Sequence, residues 1–388
     1  MKNILDNILY FIKLLIKIKI ILSKPPKKKI LIFDKEGSST KYYKMFYKKN
    51  CTVLDVRGES INIYVVLRLL IKFQISLNNY IKEYINLSKP KFIFHNSYNR
   101  RFFLIDKKDY KFDFIKIFTQ SELKSKLEYQ KIFFGLRNKQ VDYLFVWNHG
   151  YKKMFNKYIE GNFIVSGIFF NNFLINIENK NLKKKLSFVS QYRLPKKNVN
   201  KIVNQPFNRK FSWQQFHQPE VDIAILLKKF CEKKGIHFEI VGSSIDNFKN
   251  EKEYYEKFLG KKNWIFLRST AKKRGLILTL KSKFVVTIDS TLGYECLSRG
   301  QRVGFFTIRD RYINYDHLKF GWPNKYPLEG PCWTCSGGKK SFNRIINFLI
   351  NGSEQKWKFV REKSLKHLIT YDSGNTKYLA FLKKMKII

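Results

Sequence analysis

The feature that most constrains this chain is a repeated alternation, in which short runs of Ile, Val, Leu and Phe close in polar loops and lead into longer amphipathic stretches. Such alternation builds parallel sheets, because a parallel crossover needs a connection about as long as a helix. The pattern predicts strands at Lys29–Phe33, Thr52–Val56, Phe92–Phe94, Phe114–Phe118, Tyr143–Trp147 and Phe163–Val165, with a helix from about Ser60. A Lys- and Asn-rich stretch, Asn176–Lys185, interrupts the series and reads as a linker. A second series follows, with strands at Leu186–Ser190, His237–Val241, Trp264–Leu267, Phe284–Ile288 and Arg302–Phe306. Its helices fall at Val221–Lys234, Glu251–Leu259, near Lys272–Leu280 and at Leu292–Arg299. A chain of 388 residues suits two such units, at roughly 150 residues per domain. The expected fold is α/β, two Rossmann-like domains facing a cleft, with ligands outside the carboxyl ends of the strands.

Residues Ile4–Leu22 are apolar but interrupted by Lys13, Lys17 and Lys19, each costing about 2.5–3.5 kcal/mol near a bilayer centre. A span is therefore not expected, and no small-residue cleavage pattern follows. Asp6, Tyr10, Lys13 and Lys17 share one helical face, which predicts an amphipathic helix, although Lys19 breaks the pattern. With the basic run through Lys29, such a helix suits an anionic membrane surface; packing on the protein itself is the other reading.

The net charge of +46 points first to a polyanionic partner. The lysines are scattered through a composition also rich in Ile, Asn, Phe and Tyr, and no zinc-finger spacing or aromatic RNA-binding strand accompanies them. Nucleic acid is thus a minor alternative, and an acidic substrate or anionic lipid accounts for the charge equally well. The five cysteines are odd in number and dispersed, so no disulfide framework is expected, and Cys332-Trp333-Thr334-Cys335 lacks the second pair that a zinc site needs.

The most informative segment is Lys283 to Leu297, where a buried strand runs through Asp289-Ser290-Thr291 into a helix carrying Gly293 and Glu295. Hydroxyls and unpaired N–H groups at a helix start form an anion site, Gly293 clears the approach, and Glu295 is placed to accept from sugar hydroxyls. The same residues serve equally as a plain N-cap with a dipole-favoured acid.

Several blocks give the chain a family resemblance: Tyr143–Trp147, Tyr158–Phe163, Gly167–Asn172, Ser190-Gln191-Tyr192-Arg193, Asp289–Glu295, and Phe320-Gly321-Trp322-Pro323 leading to Gly330–Thr334. Their order, across Lys29 to Leu349, resembles that of bacterial surface-carbohydrate biosynthesis proteins related in layout to GT-B glycosyltransferases. At Phe94–Asn99 the chain departs from the pattern, since related chains carry an Asp-Asn pair at that strand end. The resemblance implies an acceptor domain over residues 29–176 and a nucleotide-sugar donor domain over 186–352. Residues 1–28 then form an N-terminal helix and linker, and 353–388 a helical tail. It implies donor contacts from Gln191, Arg193, Gly242, Ser243, Arg268, Ser290, Thr291, Gly293 and Glu295, and a base among Glu36, Glu59 and His95. No metal or cofactor is expected. The implied activity is sugar transfer to a capsule- or lipopolysaccharide-type glycan on the cytoplasmic side of the membrane. A nucleotide-sugar epimerase and a basic nucleic-acid-binding protein are the alternatives.

Overall fold

The computed structural model describes residues 18–34, 46, 50–124, 126–136, 140–174, 183–195, 203–204, 210–270, 274–311 and 316–388. Two large sheets organise it. The first is six-stranded, in the order Cys51–Leu54, Ile30–Phe33, Phe92–His95, Ile115–Thr119, Gln140–Val146, Glu160–Val165, and every pairing is parallel. Its strands alternate between two cores. Leu31 and Phe33 enter one face while Ile30 and Ile32 enter the other, and Ile93 opposes Phe92 and Phe94 in the same way. Such two-sided burial is why the sequence runs are continuously apolar, with no polar alternation.

The second sheet is seven-stranded, ordered Ile265–Leu267, His237–Val241, Lys183–Val189, Ser282–Thr287, Arg302–Phe306, Trp333–Thr334, Glu329–Gly330. From Lys183–Val189 the chain builds outward on one side, then returns to place Ser282–Thr287 on the other, so the two central strands part company at their carboxyl ends. This reversal is a topological switch point, where doubly wound sheets bind ligands. The helix Trp213–Lys234 begins two turns before its expected start, because Ser212 and Gln215 form a reciprocal capping box, and Gly235 ends it at φ 59°.

Two expectations change. Lys19–Ile21 is a strand, parallel to Ser60–Asn62 and in register Lys19↔Ser60, so the N-terminal helix does not extend to Leu22; residues 1–17 lie outside the described set. Lys19, which breaks the amphipathic pattern, marks the change. The C-terminal segment is also more than a tail. Its last helix, Thr376–Lys384, returns to the first sheet and buries Tyr378, Phe381 and Leu382 against Phe145 and Phe169. Among the described residues no helix is long and apolar enough to cross a membrane.

The halves also meet through polar groups. Asn171 Nδ2 donates to Ser298 Oγ at 2.8 Å, and Asn171 Oδ1 accepts from the buried Arg299 guanidinium. Asn172 Nδ2 donates to Asn375 Oδ1 at 2.9 Å, tying the returning C-terminal segment to the first half. In the aromatic loop, Trp322 Nε1 donates to the Lys124 carbonyl at 3.1 Å, and Phe320 stacks on Trp333. The loop is thus a strap between the halves.

The closing role of the last helix is testable. Leu382 is fully buried, so Leu382→Ala should destabilise the protein by about 2–5 kcal/mol in urea unfolding. A cost near zero would mean that the helix does not complete the first core.

Candidate functional site

At the switch point of the second sheet opens a cleft of about 900 Å³. One wall is Ser190-Gln191-Tyr192-Arg193-Leu194, Ser243-Ser244, Asn247 and Asp289-Ser290, in loops after strands, with Thr291 at the start of the following helix; Glu122, Leu123, Lys124 and Glu128 of the first half form the other. Phe216 of the helix Trp213–Lys234, His317 and Leu318 complete the lining. Gln191, Arg193, Ser243, Ser290 and Thr291 therefore gather here, as the sequence suggests.

The floor is a buried ionic network. Arg309 is fully buried, and all three of its nitrogens donate: Nε to the Phe216 carbonyl at 2.8 Å, Nη1 to Asp289 at 2.6 Å and to Gln191 Oε1 at 2.9 Å, and Nη2 to Glu220. Its guanidinium also lies 4.0 Å from the Phe216 ring centroid. Glu220 accepts in addition from the Gln191 N–H at 2.9 Å and the Tyr255 hydroxyl at 3.0 Å, and pairs with His217 Nδ1 at 3.1 Å. Burial alone would raise the Glu220 carboxyl, but the Arg309 charge and the His217 contact outweigh it and hold it below its usual value. The network fixes the loops carrying Gln191 and Asp289 without spending their outward faces.

The loop after His237–Val241 is clamped differently. The N–H groups of Ser243 and Ser244 donate to the Glu251 carboxylate at 2.8 and 3.0 Å, so these donors are already engaged. Burial raises the Glu251 carboxyl, and those bonds partly offset the rise. Gly242 lies behind the cleft wall, where a Cβ would stand 2.6 Å from the Phe266 ring. At the head of Thr291–Ser298, Ser290 caps the Leu292 N–H at 3.3 Å, and Thr291 contributes a first-turn N–H that helix geometry leaves without an internal partner. Gly293 does something other than clear the phosphate's path. A Cβ there would meet Thr287 at 2.5 Å and Phe305 at 2.8 Å, so its smallness seats the helix on the sheet.

Glu295 is not among the cleft-lining residues; it lies one turn beyond Thr291 on the same helical face, half-buried, with its carboxyl pushed up to about 7 by burial and only partly drawn back by Arg299. Arg268 stands outside the cleft lining, exposed, with its guanidinium 3.5 Å from the Phe248 ring centroid. Of the expected bases, Glu59 and His95 do not line the cleft. Glu36 falls outside the described residues. Glu59 buries both carboxylate oxygens with no hydrogen-bond partner among the described residues. His95 is 2% exposed among Phe33, Phe102, Phe103 and Phe118. Its Nδ1–H donates to the Phe33 carbonyl at 2.9 Å and its Nε2 accepts from the Asn99 N–H at 3.2 Å, while burial lowers it to about 4. A ring so committed is a structural group; it supports the turn in which Asp34 pairs with Arg57 and accepts from Asn99.

His317 is the residue that sequence reading missed. It lines the cleft opposite Glu128, and burial lowers its imidazole, against the pull of Glu128, Asp289 and Asp316, so the neutral base prevails at pH 7. Among the described residues no group of three His, Cys, Asp or Glu side chains gathers as a metal site. Cys332 and Cys335 are free and buried.

Two measurements probe this geometry. Glu220→Ala strands Arg309 in the interior and should cost about 3–5 kcal/mol in urea unfolding; a cost below about 1 kcal/mol would show that the network is not what holds the floor. For Glu295, a folded value above the unfolded one gives stability that is complete below about pH 4.5 and is lost as pH rises to about 7. Glu295→Gln should therefore gain roughly 1–3 kcal/mol at about pH 8 and nothing at about pH 4. A gain independent of pH would argue against a buried, protonatable Glu295.

Comparison with known proteins agrees with this architecture. Over residues 117–386 the sequence matches the family model described as "putative O-antigen biosynthesis protein". No curated protein matches the sequence. The fold is similar to that of S. aureus MnaA in complex with UDP (TM-score 0.53, 13% identity, 93% of this chain and 98% of that one). It is also similar to the wall teichoic acid polymerase TagF (TM-score 0.52, 14% identity, 94% and 90%). UDP-GlcNAc 2-epimerase from Neisseria meningitidis bound to UDP-GlcNAc is a third such structure (TM-score 0.51, 11% identity, 92% and 99%). These likenesses identify the two-domain arrangement as the GT-B fold. Because the matched segment covers more than half of the sequence, the chain belongs to this family of O-antigen biosynthesis proteins.

Proposed function

We propose that the protein is a GT-B glycosyltransferase that moves a sugar from a nucleotide-sugar donor to a surface glycan or glycolipid acceptor. The observation that carries the reading is the cleft at the switch point of the second sheet, where Ser290 and Thr291 open a helix and Gln191 and Arg193 face them. The donor phosphates sit at that helix start, where N–H groups and the positive end of the dipole stabilise a leaving anion. Arg193 adds charge, and Glu295, further along the face of Thr291, accepts from ribose hydroxyls. Two similar structures hold UDP or UDP-GlcNAc, which favours a nucleotide in this position.

The acceptor approaches from the wall of Glu122, Lys124 and Glu128. His317 takes the proton from its attacking hydroxyl; neutral at pH 7, it is ready to do so, and Glu128 and Asp289 stabilise the imidazolium that forms. The C–O bond to the leaving nucleotide breaks as the bond to the acceptor oxygen forms. Leaving-group charge is balanced by Thr291 and the cations around it, a course that needs no metal. Placement on an anionic membrane face through residues 1–28 would bring the enzyme to glycolipid acceptors.

Calorimetry with CMP, UDP, GDP, ADP and their sugar conjugates tests the donor site. Saturable micromolar binding of one nucleotide, weakened about tenfold in Glu295→Ala with the far-UV circular dichroism of the parent kept, is the expected result. Tight, salt-sensitive DNA binding with no nucleotide bound would overturn it, and turnover of the sugar nucleotide without an acceptor would make the protein an epimerase. With a turned-over donor in hand, His317→Ala should lower kcat about 10²–10⁴-fold while nucleotide binding persists. The acid limb of kcat/KM should fall below the ordinary histidine value, because the base must be unprotonated and burial lowers it. A limb unchanged in His317→Ala would remove it as the base.

A further inference from the structure

The tip of one helical hairpin is apolar where water should meet it. Helix Ile63–Ile71 turns through residues 72–76 into helix Leu77–Ser88, and every residue from 70 to 78 is exposed. Leu70, Ile71, Phe73, Ile75 and Leu77 stand there, with Phe73 97%, Ile71 79% and Ile75 65% exposed. Leu67, three residues before Leu70 on the same helical face, extends the patch at 53%. Scattered apolar residues on a surface need no account, but a contiguous cluster on a projecting tip marks an interaction site.

The tip is also built to stay in place. Gln74 N–H donates to the Leu69 carbonyl at 2.9 Å, and Phe73 N–H to the Leu70 carbonyl at 3.0 Å. Asn79 Nδ2 reaches the Gln74 carbonyl at 2.9 Å, and Ser76 caps the second helix through the Asn79 N–H. Glu83, on that second helix, accepts from Arg68 at 2.5 Å and Lys72 at 3.2 Å, tying the two arms together. Two cations share a single carboxylate, so the tip keeps a positive excess. At the opposite end of the first helix, about 13 Å from the tip at 1.5 Å per residue, the strand Lys19–Ile21 pairs with Ser60–Asn62.

We propose that the hairpin tip around Ile71, Phe73 and Ile75 inserts into the interface of an anionic lipid bilayer, with Arg68 and Lys72 meeting the headgroups. An exposed apolar tip supplies side chains to a soft phase, and the positive excess of Arg68 and Lys72 over Glu83 matches an anionic leaflet. Because the tip is held by its own hydrogen bonds, binding needs little ordering of the protein. The proposal stands apart from the donor site and does not depend on its chemistry.

All five native cysteines are buried, so Phe73→Cys can be labelled selectively at the tip with acrylodan. With the full chain, the probe's emission should shift to the blue on adding phosphatidylcholine vesicles that contain phosphatidylglycerol, and not with phosphatidylcholine alone. The triple variant Ile71→Ser, Phe73→Ser, Ile75→Ser should lose about tenfold or more in sedimentation with the anionic vesicles while its thermal melt is unchanged. Undiminished vesicle binding by that variant would overturn the proposal, leaving residues 1–17 as the anchor. So would a probe already blue-shifted without lipid, since the tip would then be covered by the chain itself. A shift that grows with protein concentration alone would also overturn it and assign the tip to a second copy.

Discussion

Arg309 is a cation shut away from solvent, and the second-sheet side of the cleft is arranged around that fact. A buried guanidinium survives only if each of its donors finds an acceptor. Glu220 from the long helix, Asp289 from the loop after a central strand, Gln191 from the loop after its neighbour and the Phe216 carbonyl meet the demand together. Three segments far apart in sequence are thereby fixed at one point, immediately beneath the cleft. Asp289 gains a second meaning from this. It precedes Ser290 and Thr291, so the charge that anchors the floor also sets the position at which the helix begins.

Much of the fold was legible because its strands are buried on both faces. The run Ile30–Phe33 announces itself, and His237–Val241 and Arg302–Phe306 fall where the apolar pattern puts them. Less legible were features that depend on distant partners. Nothing local in Thr376–Lys384 says that it packs on Phe145, more than two hundred residues away in sequence. Lys19–Ile21 is a strand only because Ser60–Asn62 offers it an edge.

The site divides in the same way. Ser290, Thr291, Gln191 and Arg193 could be found, since each follows a recognisable strand. Gly293 was found for the wrong reason: a glycine early in a helix reads as an opening toward a ligand, and only the positions of Thr287 and Phe305 reveal which side is crowded. His95 carried the appeal of a histidine at a strand end, yet its two nitrogens are spent on backbone groups. His317 had no such signal, because the short helical turn that carries it follows no apolar strand directly and reaches the cleft only through the tertiary fold.

The return of the last helix has a consequence for how the protein is made. Synthesis runs from the N-terminus, so the six strands of the first sheet all emerge before residue 166, while Tyr378, Phe381 and Leu382 emerge some two hundred residues later. Throughout that interval one face of the sheet, with Ile30, Ile32, Phe94 and Phe145, has Phe46 and Phe169 against it but lacks the cover of the last helix. Domains commonly fold as units while the chain is still growing. Here the first domain cannot finish until the second has been translated, and the nascent chain carries a sticky, half-dressed sheet that a ribosome-associated chaperone would have reason to shield.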